Sequence, residues 1–70
     1  MRYAIVIEKS QNNYAAYVPD LPGCVATGDS VAEAEQLIRE AIEFHIEGLR
    51  EEGLEVPQPS SKVEYVEVAA

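Results

Sequence analysis

From Val31 onward, apolar residues recur at the spacing of a helix, and no other feature constrains the fold of this chain as tightly. At ~100° per residue, Val31, Ala34, Ile38, Ala41, Ile42, His45 and Leu49 share one stripe. Gln36, Arg39, Glu40, Glu43, Glu47 and Arg50 lie opposite. Ser30 and Glu33 form an S-x-x-E capping box, whose side chains satisfy two backbone donors left free at a helix start. Gly53 stands where a helix ending near Glu52 needs a left-handed residue. Such a helix is ~33 Å long, enough to cross a small domain. Its apolar stripe needs a surface to lie on, and the rest of the sequence supplies strands.

Residues 2–8, RYAIVIE, place Tyr3, Ile5 and Ile7 on one face and Ala4, Val6 and Glu8 on the other, which reads as a central strand. The polar run at residues 10–13 suits a turn, and residues 14–18 alternate again, so the two strands form a hairpin. Pro19 and Pro22-Gly23 shape a loop over residues 20–23 before a short third strand at residues 24–27, closed by Gly28. Beyond the helix, Pro57, Pro59, Ser60 and Ser61 make a connector. Residues 62–68 then alternate Val66 and Val68 against Val63 and Tyr65, which predicts a fourth strand. The order is βββαβ, an α+β two-layer fold in one domain spanning residues 1–70.

A single core in a chain of 70 residues rarely supplies more than ~3–5 kcal/mol without a staple. One cysteine excludes an internal disulfide, and one histidine without a C-x-x-C pair excludes the usual zinc sites, so neither metal nor cofactor is expected. Oligomerisation or a partner is left to supplement the core. Thirteen acidic against five basic residues give a net charge of −8, which repels phosphate backbones and anionic lipid and favours a basic partner. The apolar run Tyr3 to Ile7 is far shorter than a membrane helix and lacks a signal-cleavage site, so a soluble cytoplasmic protein is expected.

His45, on the apolar stripe without a second histidine nearby, reads as a packed, hydrogen-bonded core residue rather than a ligand. Cys24, after the Pro-Gly turn, reads as a small buried hydrophobe rather than a nucleophile. Of the carboxylates that a two-metal nuclease would need, Asp29 and Glu33 belong to the helix start and Glu8 to a solvated strand end. Asp20 is left alone, and enzyme activity is not expected. Glu40, Glu43, Glu47 and Glu51 form an acidic ridge, either a solvated face or a receiver of a partner's basic residues. Phe44 and Ile46 widen the apolar helix face beyond what a small sheet covers, and the fourth strand is an edge; either is a candidate dimer surface. Of Tyr14 and Tyr17, at least one ring is expected on the open face of the sheet.

The run YAAYVPDLPGCVATGDSVAEA from Tyr14 to Ala34, followed by IREAIEFHIEGLREEGLEVPQPS, resembles the HicB-like antitoxin family of prokaryotic toxin–antitoxin modules, over nearly the whole chain. The resemblance implies a truncated RNase H-like fold without nuclease chemistry, a four-stranded mixed sheet in order 3-2-1-4 with one long helix on one face. It further implies binding and occlusion of HicA, a small basic toxin that cleaves messenger RNA using a histidine. Many members carry a DNA-binding domain; this chain is expected to act as a stand-alone domain without operator binding. The partner-binding residues expected are Tyr17, Pro19, Asp20 and Leu21 of the second strand and its loop, with Glu40, Glu43 and Glu47 of the ridge. Gly23, Gly28 and Ser30 are assigned to structure. A homodimer or homotetramer is expected, and the alternative is an orphan homo-oligomeric scaffold without a toxin.

Overall fold

The computed structural model describes all 70 residues. Three short strands, β1 (Val6–Lys9), β2 (Tyr14–Tyr17) and β3 (Val25–Gly28), precede one helix, α1 (Val31–Glu51). The strands form an antiparallel sheet in the order β1-β2-β3. Val6 stands opposite Tyr17 and Ile7 opposite Ala16, while Tyr17 stands opposite Val25 and Ala16 opposite Ala26. Because side chains alternate across a sheet, Ile7, Ala16 and Ala26 meet the helix, and Val6, Tyr17 and Val25 form a row on the other face. Ser10 closes the hairpin by donating its N–H to the Asn13 carbonyl at 2.8 Å.

The helix begins with a variant of the expected capping box, in which the Glu33 carboxylate reaches past Ser30 to the N–H of the preceding residue. The Glu33 N–H donates to Ser30 Oγ at 3.1 Å, and the Asp29 N–H donates to Glu33 Oε1 at 2.9 Å. At the other end, Gly53 takes φ +70, its N–H bonds the Arg50 carbonyl at 3.1 Å, and the Leu54 N–H reaches back to Leu49 at 2.9 Å. These two bonds are a Schellman cap, with Gly53 at the position that needs a left-handed residue. The stripe lies chiefly over β3 and β2 and touches β1 least. The core is Ala16, Val18, Leu21, Cys24, Ala34 and Ile38, all buried, with Tyr3, Ile5, Ile7, Tyr14 and Ile42 packed around it.

Two expectations about the sheet are corrected. The first strand is an edge, not the centre, because β2 pairs on both sides and nothing pairs on the outer side of β1. Regular pairing begins only at Val6, since β2 turns away after Tyr17 and residues 1–5 find no partner strand. The fourth strand does not form. Residues 62–68 adopt no regular structure and are exposed throughout, so the sheet is three-stranded and wholly antiparallel rather than mixed in order 3-2-1-4. Strand-forming composition is insufficient by itself, because a strand is stabilised only by the neighbour it pairs with. With that segment unpacked, the radius of gyration is 13.7 Å, against ~11 Å for a compact chain of this length.

Candidate functional site: the sheet end, its open face and the acidic helix face

The chain between β2 and β3 makes two successive turns. The Leu21 N–H bonds the Val18 carbonyl at 3.1 Å, and the Cys24 N–H bonds the Leu21 carbonyl at 3.0 Å. In the second turn Pro22 sets the first central position and Gly23, at φ +84, takes the left-handed second position of a type II turn. Leu21 is the hinge between the turns and is fully buried, so its side chain belongs to the core and not to the exposed loop surface expected for it. Pro19 is exposed beside it.

Asp20 stands in the first turn and serves as a clip for a distant part of the chain. Its carboxylate accepts the N–H groups of Ser60 at 2.9 Å and Ser61 at 3.0 Å, and both hydroxyls at 3.1 and 2.8 Å. These donors favour the ionised form and lower the carboxyl pKa from 3.8 to about 2. A folded-state value below the unfolded one means that the clip contributes stability above pH 3.8 and loses it as pH falls through about 2. The amide resonances of Ser60 and Ser61 are therefore expected to titrate with a midpoint near 2. In Asp20→Asn that titration should vanish and exchange of both amides should accelerate by about tenfold or more, because local opening governs their protection.

Tyr17 lies on the open face of the sheet, 40% exposed, between Val6 and a more exposed Val25 at 66%. Tyr14, as alternation requires, packs on the core. Glu40, Glu43 and Glu47 are exposed on α1, which covers the opposite face of the sheet. Gln36 donates to Glu40 at 2.9 Å, and Arg39 pairs with Glu35 at 3.8 Å, a surface contact worth a few tenths of a kcal/mol. Tyr17, Pro19 and Asp20 therefore gather at one end of the sheet, whereas the three glutamates occupy the other layer. The apolar row was missed in the sequence because Val6 and Val25 become neighbours of Tyr17 only once the register is known. Ser60 and Ser61 lie in the proline-containing connector, where no local signal marks their bond to Asp20.

The other singled-out side chains have structural places. Cys24 is buried, and that burial raises its thiol pKa above the usual range. His45 is half-buried on the inner stripe, but no side-chain hydrogen bond involves its imidazole, contrary to the expectation of a bonded core histidine. No helix is long and apolar enough to cross a membrane.

Residues 3–69 match the family model described as the HicB_like antitoxin of bacterial toxin-antitoxin system. The chain belongs to that family. This HicB-like chain is 44% identical over 66 residues to a 14.9 kDa protein of Haemophilus phage HP1, covering 94% of this chain and 50% of the relative. It is 42% identical over 65 residues to a UPF0150 protein of Helicobacter pylori, covering 91% and 90%. It is 34% identical over 71 residues to antitoxin HicB 2 of Photorhabdus laumondii, covering 100% of this chain and 51% of that protein. The chain thus spans about half the length of the phage and Photorhabdus relatives. Among solved structures, a chain of the HicA3 and HicB3 toxin-antitoxin complex superposes with a TM-score of 0.74 at 35% identity, covering 86% of this chain and 70% of that one.

Proposed function

We propose that this HicB-like chain is an antitoxin that binds a small basic HicA-type toxin and prevents it from reaching messenger RNA. The observation that carries this reading is the fold-level match, at 35% identity, to a chain from a HicA3–HicB3 complex. The mechanism is occlusion by binding, without chemistry of its own, in the cytoplasm. With a net charge of −8, the chain attracts a basic surface over several ångströms and competes there with a phosphate backbone. The acidic ridge is the natural contact. Glu43 and Glu47 are like-charged neighbours one helical turn apart, and a facing arginine or lysine relieves a repulsion of a few tenths of a kcal/mol. Pro19 and Tyr17 form a second contact at the sheet end, beside Asp20, whose carboxylate is held by Ser60 and Ser61. There the apolar row offers aromatic and aliphatic area, and Leu21 acts only by holding the loop in shape.

Replacing Glu40, Glu43 and Glu47 together with lysine is expected to weaken toxin binding by about 10- to 100-fold, with the far-UV spectrum unchanged because all three are exposed. The control reverses Glu52, Glu55 and Glu64, which makes the same change in net charge elsewhere on the surface. Equal loss in both variants, measured by calorimetry at two salt concentrations, would leave general attraction but remove the ridge from the interface.

The chain is further read as a homo-oligomer. The exposed Val63, Tyr65, Val66 and Val68 are surfaces that a lone small domain leaves in water at a cost. The same observation favours the orphan-scaffold alternative. A neighbouring gene for a small basic protein whose toxicity this chain relieves decides for the antitoxin.

A further inference from the structure

After the helix, the chain crosses the end of the sheet and is fastened there through side chains alone. Beyond Leu54, its hydrogen bonds to the rest of the domain are that of the Tyr3 hydroxyl to the Pro57 carbonyl and those of Ser60 and Ser61 to the Asp20 carboxylate. Tyr3 lies three residues before Val6, the partner of Tyr17 in the sheet, and Asp20 lies three residues after Tyr17. Residues 57–61 therefore bridge the run-in to β1 and the loop after β2, at the same end of the sheet as Tyr17 and Pro19. Pro59 is half-buried there, while Ser60 and Ser61 are exposed.

The clip limits what Asp20 can offer a partner. Its Oδ2 accepts both N–H groups and its Oδ1 both hydroxyls, which fills the roughly four acceptor positions of a carboxylate. A partner's arginine or lysine bonds Asp20 only by displacing the serines. With the clip closed, the sheet end presents Tyr17, Pro19 and the connector, a surface without a free carboxylate, unlike the ridge on the other layer. Tyr17 and Pro19 alone fall far short of the ~800 Å² that a stable interface covers on each partner, and the connector is the surface continuous with them. On the antitoxin reading, on which this rests, we infer that the closed connector, residues 57–61, is part of the surface the toxin meets, and that Asp20 is a positioning residue acting through the clip rather than a charged contact. A segment held by two side-chain anchors opens locally at small cost. Closure and toxin binding are then coupled, and the coupling is reciprocal: the factor by which an open clip weakens toxin binding is the factor by which bound toxin disfavours opening.

The test measures affinity for the small basic protein of the neighbouring gene, by calorimetry at two salt concentrations, with the full chain and two variants. Asp20→Asn removes the charge and weakens the clip. Ser60→Pro combined with Ser61→Pro removes all four donors and leaves the carboxylate in place. Both are expected to weaken toxin binding by about tenfold, by nearly the same factor at both salt concentrations, because no screened charge pair is lost. Their helix content should match the parent's, since none of the three residues belongs to the core. In the unaltered chain, saturating toxin is expected to slow exchange of the Ser60 and Ser61 amides by about tenfold, the reciprocal of that loss. A double serine variant that binds as tightly as the parent while Asp20→Asn binds weakly makes Asp20 a charged contact and overturns the inference. Two variants that both bind like the parent overturn it too, as do serine amides indifferent to the toxin. A parent chain that binds no toxin overturns the antitoxin reading, and the inference with it.

Discussion

Leu21→Ala is expected to leave most of the chain unfolded at room temperature, although Leu21 sits in a loop. Its side chain is fully buried and is one of the two largest in the core, the other being Ile38. It is also the hinge of two turns, the residue whose N–H and carbonyl both serve as turn bonds. Truncating a buried leucine to alanine destabilises by about 2–5 kcal/mol, the transfer term plus the cavity left behind. A single core of this size holds only ~3–5 kcal/mol in reserve, so the loss is comparable to the whole. Urea titration followed by circular dichroism measures it. Leu21→Met, which nearly conserves volume, should cost less than about 1.5 kcal/mol. The pair also separates folding from binding: a toxin-binding defect in the alanine variant that the methionine variant lacks reflects unfolding of the loop, whereas Pro19 and Tyr17 test the surface itself.

Gly28→Ala is expected to be the second severe change. Gly28 ends β3 against the first turn of α1, where an added Cβ would stand 2.6 Å from the Ala34 nitrogen and 3.0 Å from its Cα. Both atoms are backbone, so no flexible side chain yields and the helix start must move. Overpacking of this kind costs about 1–3 kcal/mol or more. In a domain this small each kcal/mol lowers the melting temperature by roughly 4–8 °C. Displacing the first turn also strains the Ser30–Glu33 box that defines it. Gly48→Ala is the control within the same chain. Gly48 lies in the helix with nothing within 4 Å of its missing Cβ, and there alanine is expected to stabilise by about 0.5–1 kcal/mol. Opposite signs for one chemical change, read from thermal melts, separate close backbone approach from helix propensity. A Gly28→Ala variant that melts with the parent would mean that strand and helix do not approach so closely.

Both variants bear on function through stability rather than through contact. The surface expected to meet a partner is made of residues that the fold does not need, the exposed glutamates of the helix and Tyr17 on the open face. This division lets interface variants be tested without unfolding the chain. Asp20 is the exception. The sequence left it without a structural role and so recommended it as an interface residue, yet its carboxylate is committed to Ser60 and Ser61. Its substitution will alter the path of the C-terminal segment whatever it does to a partner.

What could be read from residues alone was whatever neighbouring residues decide among themselves. The helix start rests on a bond between positions three apart, the helix end on Gly53 and carbonyls within one turn, and the Pro22-Gly23 turn on two adjacent dihedral preferences. The order of residues along YAAYVPDLPGC likewise carried the family resemblance. Tertiary structure decided the matters in which a segment must choose among distant partners. Alternation shows that residues 2–8 and 62–68 are suited to a sheet but not which neighbour each will pair with, because ladder bonds form between any two compatible edges. So β1 became an edge, the last segment stayed unpaired, Asp20 found partners 40 residues away, and Leu21 turned inward from a loop. Each of these outcomes depends on packing and pairing across the chain, interactions with no signature within a few residues of sequence.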